Sequence, residues 1–533
     1  MNTKNLLDDR SYLQFLTDGF ITVQPELLEA KDHDFFYKRA QDLYDRTAAL
    51  RSPTAHLEIL GDNLRAQIPE IDLVLQDPAV VGAITSVLGE DYVIHPHNFV
   101  HKSNRADQCF HQDGNLPWNE RGHYRSHRPD WLILFYYPQE VNEGNGPTEI
   151  VPGSQYWTRD IEKGRDDWYP DDSLDRSFGK EVQISEDLEY RDQRLQQVLD
   201  DFAVPDLQRK FVHVAKGSVL IGNYDLIHRG SRKLPDVPNR FMYKFYFART
   251  KEPKRAAWSN QTAIPSLNKT RKEIQPVVED IWRWSSGKQH QESVLDLVKA
   301  EKDLFDGRED QQVAAAYRLG RTATDAAIDV LDKGINNENE STRRASSYGL
   351  RSAGSAGTKI LISACGADLP STRRFGVFGL GNIATAQNPD ATNTLLTCLK
   401  DNDDLVRSNA AYSLGQVSRG DFDQANEIFE VLMARLQPGT EPNNTDAALL
   451  PRSTVRQSIA YALMQYAFNQ PLSEWQISEM VNIAIKDDDR YVRGMLLEAL
   501  GHASGKMGHV HELIQGLIKQ RWSVPPEIAS TVS

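Results

Sequence analysis

Two textures of apolar spacing meet near the middle of this 533-residue chain. Up to about Thr250, short β-rich runs (92–100, 131–137, 149–151, 218–221 and 240–248) recur between Gly, Pro and Asn punctuation. That spacing predicts a β-sandwich or barrel rather than a doubly wound sheet. Helical patterns precede the runs at 12–16 and 35–50, and the highly charged stretch 158–210 reads as an inserted lid or a helical excursion. Residues 251–291 (KEPKR, AIPSLNK, WRWSSGKQH) hold few periodic apolar positions and read as a connector.

Beyond the connector the period becomes helical and the pattern repeats. LVRSNAAYSLG, TVRQSIAYALM and YVRGMLLEALG align on Arg407, Arg456 and Arg493, with weaker copies at Arg343 and Arg373 and a degenerate one starting at Gln311. In the best copy Val406, Ala410 and Leu414 fall on one helical face, while Asp403 or Asp404, Ser371, Ser453 and Asp489 sit where N-caps belong. The arginines at 343, 373, 407, 456 and 493 are 30, 34, 49 and 37 positions apart, the period of paired helices stacked as a solenoid. These copies resemble HEAT repeats from about Leu295 onward. The repeated arginine reads as a structural ladder pairing with acidic caps such as Asp403 or Asp489.

Composition narrows the function classes. A formal net charge of -14 argues against nucleic acid or an anionic membrane as the main partner. Cys109, Cys365 and Cys398 are far apart, which predicts a reducing compartment without a disulfide framework or zinc knuckle. With no signal-peptide pattern and no stretch approaching ~20 apolar residues, the expected location is cytoplasmic.

The central chemical signal is CFHQDG. His111 and Asp113 at i and i+2 of a strand share a face, and GSVLIGNYDLIHRG supplies His228 at the end of a β-like run. Two imidazoles and one carboxylate make a facial triad suited to Fe(II), with coordination positions left for a chelating co-substrate and O2. Such iron needs a two-electron reductant, usually 2-oxoglutarate, whose distal carboxylate calls for a buried cation. Arg240, among Phe241, Tyr243 and Phe245 on the next run, is the candidate; a structural ion pair is its bland alternative. The cluster Arg121, His123, Arg125, His127 and Arg128 reads either as a grip for an anionic substrate or as a solvated loop. His95, His97, His101 and His213 read as satisfied sheet or turn histidines, with His95 the one able to reach the pocket.

Residues 12–250 resemble the phytanoyl-CoA dioxygenase family of jelly-roll oxygenases in five features: YLQFLTDGFITV, HQDG, NEGNGPTEIVPGSQYW, GSVLIGNYDLIHRGS and the terminal arginine strand. The resemblance implies iron on His111, Asp113 and His228 and 2-oxoglutarate on Arg240. It further implies Ser231 beside the same carboxylate, if one residue is inserted after His228, and an aromatic facing the co-substrate. Tyr136 is the candidate for the last, with core packing as the alternative. The family's PGSH reads Pro152-Gly153-Ser154-Gln155 here, which leaves the triad intact and puts the local loop contacts in doubt.

The expected fold is therefore α+β multidomain: a double-stranded β-helix (jelly-roll, cupin-like) core at 1–250, a connector at 251–291 and an all-α HEAT-like solenoid at 292–533. The expected function is hydroxylation of an unactivated C–H of a small organic substrate, with release of succinate and CO2. The alternative is a HEAT-repeat scaffold whose jelly roll binds metal or ligand without turnover. The solenoid is expected to be a separate domain that docks a protein partner or covers the active site without supplying chemical groups.

Overall fold

The computed structural model describes residues 5–503, except 51–54, 63, 114–124, 159, 161–179, 201–203, 205–206, 264, 289–293, 382, 384–387, 420–424, 438, 442–443 and 446–450. Nine strands build the N-terminal half: β1 (Phe20–Val23), β2 (Val93–Ile94), β3 (Phe99–Lys102), β4 (Trp131–Tyr136), β5 (Thr148–Ile150), β6 (Lys210–Val212), β7 (Val219–Asn223), β8 (His228–Gly230) and β9 (Phe241–Ala248). The large sheet runs β1-β7-β4-β9-β2 with β3 also on β9, and the small one runs β6-β5-β8; the described pairings within both are antiparallel. This is the expected jelly roll.

Continuous apolar runs become the central strands because both of their faces are covered. WLILFY of β4 and FMYKFYFA of β9 are buried at every position. On one face the helix Ala30–Ala49 sets Phe36 edge-on to Tyr136 and Tyr243. On the other, Phe135, Met242 and Lys244 look into a cavity between the two sheets. Where described, the insertion holds the helices Lys180–Ile184 and Leu188–Asp200.

The second half is the repeat array. Glu309–Thr322, Glu340–Ser352, Pro370–Gly381, Asp404–Val417, Thr454–Asn469 and Arg490–Ala503 form one row of helices, each packed on the next. Close approach requires small residues: a Cβ on Gly320 would lie 2.1 Å from the Gly349 carbonyl. The arginine ladder is present with a different partner. Arg343, Arg373 and Arg407 each donate to the carbonyls five and six residues earlier. Arg373, Arg407 and Arg456 then grip Asp401, Glu441 and Asp487 of the following repeat. The caps expected as partners do other work. Asp403 receives Leu405 N–H, Val406 N–H and Arg374, and Asp489 receives Ser453 N–H, Tyr491 N–H and Gln457. Ser371 lies inside the first turn of its helix, which begins at Pro370.

The connector is packed, not a tether. Trp258 stacks on Tyr12 at 3.9 Å, and the helix Gln275–Ser285 buries Val277, Val278, Ile281 and Trp282. Nor does the solenoid stand apart, because one apolar core runs through both halves. Its arginine-bearing row faces the jelly roll. Arg419, fully buried, bonds Asp130 at 2.7 Å and the Arg249 carbonyl at 2.9 Å. Trp131 lies against Tyr461, with ring centroids 5.4 Å apart. Among the described residues no single helix is long and apolar enough to cross a membrane.

Candidate functional site

His111 and His228 exchange backbone hydrogen bonds of 3.0 Å, an isolated antiparallel bridge that extends the small sheet past β8. The pairing sets the two imidazoles side by side. His111 Nδ1 lies 3.0 Å from the Cys109 carbonyl and His228 Nδ1 lies 2.9 Å from that of Leu226. A carbonyl only accepts, so both Nδ1 atoms carry the proton and both Nε2 lone pairs are left for a ligand. Asp113 completes the group, its oxygens 3.7 Å from His111 Nε2 and 3.9 Å from His228 Nε2. One ligand atom from each residue falls within a 4.8 Å cluster. Burial together with His111 pushes the His228 imidazole down to about 3, which keeps it in the neutral, ligating form.

Two β9 side chains hold the carboxylate. Lys244 Nζ is 2.9 Å from Asp113 Oδ2, and Tyr246 hydroxyl donates to the same oxygen at 3.0 Å. Burial opposes ionisation of Asp113, but Lys244, His228 and His111 keep its carboxyl well below the usual range. Gln112, between the two ligand candidates, turns the opposite way and donates to the Trp157 and Asp225 carbonyls.

A cavity of about 650 Å³ opens on this cluster and reaches Arg240. Arg240 is 3% exposed, donates through Nε to the Gly146 carbonyl at 2.9 Å, and leaves Nη1 without a hydrogen-bond partner. No described carboxylate pairs with it, so the bland ion-pair reading of Arg240 has no partner. Gly146 permits the contact: its φ is +83° and a Cβ there would meet the Ser231 carbonyl at 2.7 Å. Ser231 lines the same cavity with its hydroxyl donating to Pro147 O at 2.5 Å, so it has a lone pair rather than a proton to offer.

Tyr136 is not brought to this cavity. Its hydroxyl bonds His33 Nδ1 at 2.8 Å on the helix-covered face, and the aromatic on the cavity side of β4 is Phe135. Strand alternation is the reason, because Phe135 pairs with Lys244 while Tyr136 pairs with Tyr243. The same alternation would have found Lys244 and Tyr246: once Arg240 faces inward, every second β9 residue does. His97 and His101 line the cavity, whereas His95 packs between Trp131 and Tyr491. The basic cluster is neither a substrate grip nor a solvated loop where it is described. Arg125 is fully buried on Asp225 and Gln112, and His127 lies between Tyr317 hydroxyl and the Tyr156 carbonyl. Arg121 and His123 lie outside the described residues.

The sequence profile of the phytanoyl-CoA dioxygenase (PhyH) family matches residues 15–236, and that of HEAT repeats matches residues 358–450. Residues 15–236 are a PhyH domain. No curated protein matches the chain. Among solved structures, EctD from S. alaskensis with bound Fe is 15% identical with a TM-score of 0.32, covering 47% of this chain and 79% of its own. HygX from Streptomyces hygroscopicus with nickel and 2-oxoglutarate bound is 16% identical with a TM-score of 0.31, covering 46% and 88%. AviO1 from Streptomyces viridochromogenes Tue57 is 16% identical with a TM-score of 0.30, covering 46% and 96%. In this chain the PhyH domain ends within a few residues of Arg240 and the ladder repeats contain the HEAT match.

Proposed function

We propose that the chain is an Fe(II)- and 2-oxoglutarate-dependent dioxygenase that hydroxylates a small organic substrate. The observation that carries the reading is the unpartnered Nη1 of Arg240 in the cavity onto which His111, Asp113 and His228 converge. The residues fit both groups. Two neutral imidazoles and one carboxylate are an iron-type donor set, and a buried guanidinium lacking a carboxylate awaits one.

When bound, Fe(II) and 2-oxoglutarate supply the two-electron oxidation of a C–H bond by O2, with succinate and CO2 released. The protein's part is geometry. The Cys109 and Leu226 carbonyls fix the two ring orientations, and Lys244 with Tyr246 fixes the carboxylate rotamer. Arg240 holds the distal end of the co-substrate, while Phe135 and Met242 keep the wall between them apolar and dry. The solenoid's arginine-bearing row is engaged by its own oxygenase, so a protein partner would use the other row.

One observation favours the rival reading of a scaffold with a non-catalytic jelly roll: Lys244 places a competing cation on Asp113. Anaerobic titration with Fe(II), followed by oxygen-dependent succinate formation from 2-oxoglutarate, separates the two. Tight iron binding with succinate release above a His228→Ala control supports the oxygenase. A protein that neither binds iron nor consumes 2-oxoglutarate would leave only the scaffold.

A further inference from the structure

The cavity extends past the metal cluster on the side away from Arg240. Arg240, Met242, Lys244 and Tyr246 follow one another on the inner face of β9, and the last two both hold Asp113. A co-substrate held by Arg240 would take up the stretch back from Lys244, about 13 Å at ~3.3 Å per strand residue. His97 lies at the opposite end. β3 begins with Phe99 opposite Lys244, and the His97 ring sits 5.3 Å from that of Tyr246. The part of the cavity left for a primary substrate is the part His97 lines.

His97 reaches the cavity wall with one nitrogen already taken. Tyr491, from the Arg490–Ala503 helix of the solenoid, holds Nδ1 at 2.5 Å, and Arg490 donates to the same tyrosine oxygen at 3.0 Å. Among the described residues Nε2 has no hydrogen-bond partner, and it is the nitrogen left to serve the cavity. Burial, with Lys244 and Arg490 close by, keeps this imidazole neutral. The charge of the lining points the same way. Lys102, Arg240 and Lys244 face Asp107 and Asp113. Asp107 is already neutralised by Arg232 and by Arg191 at 3.1 Å, and Asp113 is committed to the metal. A divalent metal with a dianionic co-substrate leaves the wall net positive.

We propose that the primary substrate carries an anionic oxygen group, a carboxylate or a phosphate, bound between His97 Nε2–H and Lys244, in the tautomer of His97 whose Nδ1 accepts from the Tyr491 hydroxyl. The inference rests on the metal and co-substrate assignment above. It makes the last described repeat a contributor to the substrate site, one shell removed from the substrate.

The test uses the full chain loaded with Mn(II) and saturating 2-oxoglutarate, and fluorine NMR of trifluoroacetate, monofluorophosphate and the neutral trifluoroacetamide. Paramagnetic line broadening reports approach to the metal. One anion should broaden saturably, the choice telling carboxylate from phosphate, while the amide should not. His97→Ala should raise the concentration needed about tenfold, the scale of one charge-assisted hydrogen bond. His97→Asn, which keeps an N–H donor, should recover part of this, and Tyr491→Phe should cost about threefold with Mn(II) binding unaltered by electron paramagnetic resonance. Equal broadening by the amide, or an unchanged response in both His97→Ala and Tyr491→Phe, overturns the proposal. A wild-type protein that binds Mn(II) and 2-oxoglutarate but broadens no anion overturns it alone. A wild-type protein that binds no Mn(II) overturns the reading beneath it as well.

Discussion

Arg125 donates to Gln112 Oε1 at 2.6 Å, which puts a buried guanidinium on the residue that separates His111 from Asp113. The same arginine pairs with Asp225, and its backbone N–H donates to the hydroxyl of Tyr348 in the solenoid. A chain of direct contacts thus runs from a repeat helix to the backbone carrying two ligand candidates. Arg125→Met should cost about 3–5 kcal/mol, because it removes the guanidinium from the buried Asp225 carboxylate. Tyr348→Phe should cost only ~1 kcal/mol. Chemical denaturation measures both, and Fe(II) affinity in the folded Tyr348→Phe protein should fall if the contact positions the ligands. Unchanged affinity would confine the contact to stability.

Removing a ligand should have different side effects at different positions. His228→Ala should abolish tight Fe(II) binding and leave the melting temperature close to wild type. Asp113→Ala should abolish binding and also destabilise the metal-free protein by ~1–3 kcal/mol, because Lys244 is then buried without its carboxylate. Anaerobic iron titration beside differential scanning calorimetry distinguishes the two. Equal stability of the two variants would show that Lys244 has another place to go.

Arg240→Ala should raise the 2-oxoglutarate concentration needed for turnover by roughly 10–100-fold, the equivalent of a charge-assisted contact of ~1.5–3 kcal/mol. Iron affinity should be unchanged. A co-substrate requirement that stays at the wild-type level would hand this role to Lys102 or Lys244.

The half-to-half contact should be worth several kcal/mol. Arg419→Met leaves Asp130 buried beside only Arg249 and Ser126, so a loss of about 3–5 kcal/mol is expected. Adding Asp130→Asn should recover part of it, and a double-mutant cycle measures the coupling. Residues 1–250 alone should accordingly fail to give a stable fold. A monomeric, cooperatively melting fragment would restore the solenoid to the status of an independent domain.

Glu498, on the Arg490–Ala503 helix, is largely buried with Arg65 4.0 Å away, and burial pushes its carboxyl up to about 7. The unfolded chain loses this proton near pH 4.5, while the folded protein keeps it to about 7. Between those values the native state binds more protons, so stability falls as pH rises and the loss is complete above the folded value. Glu498→Gln should flatten that slope and stabilise the protein at pH 8 by on the order of 2 kcal/mol. Denaturation midpoints at pH 5 and pH 8 are the check. An unaltered slope would place the titration elsewhere.

The sequence was most informative where one residue type is required by chemistry or by period. His111, Asp113 and His228 come together at one cavity that also reaches Arg240, and the repeat arginines recur along one row of helices. The sequence was misleading where a face had to be chosen. In WLILFYYP every residue is apolar, so nothing in the run says whether Phe135 or Tyr136 looks inward; the register with β9 decides it. The helix Gln275–Ser285 was hidden because its buried stripe of Val277, Val278, Ile281 and Trp282 is interrupted by Glu279 and Asp280 within one short segment. Contacts between the halves were illegible for a further reason. Arg125, His127 and Tyr491 carry the signature of exposed loops or caps, and only the docking of distant segments buries them.

The bond from Arg419 to the Arg249 carbonyl spans 170 residues of chain. During synthesis at ~5–20 residues per second, the strands of the oxygenase are complete roughly 10–30 s before that arginine exists. Through that interval Asp130 and Trp131 have no solenoid to meet, and the wall bearing His97 has no Tyr491 behind it. Over that interval the flank is bare, and surface that the finished fold buries is open to the aggregation that threatens partly folded chains.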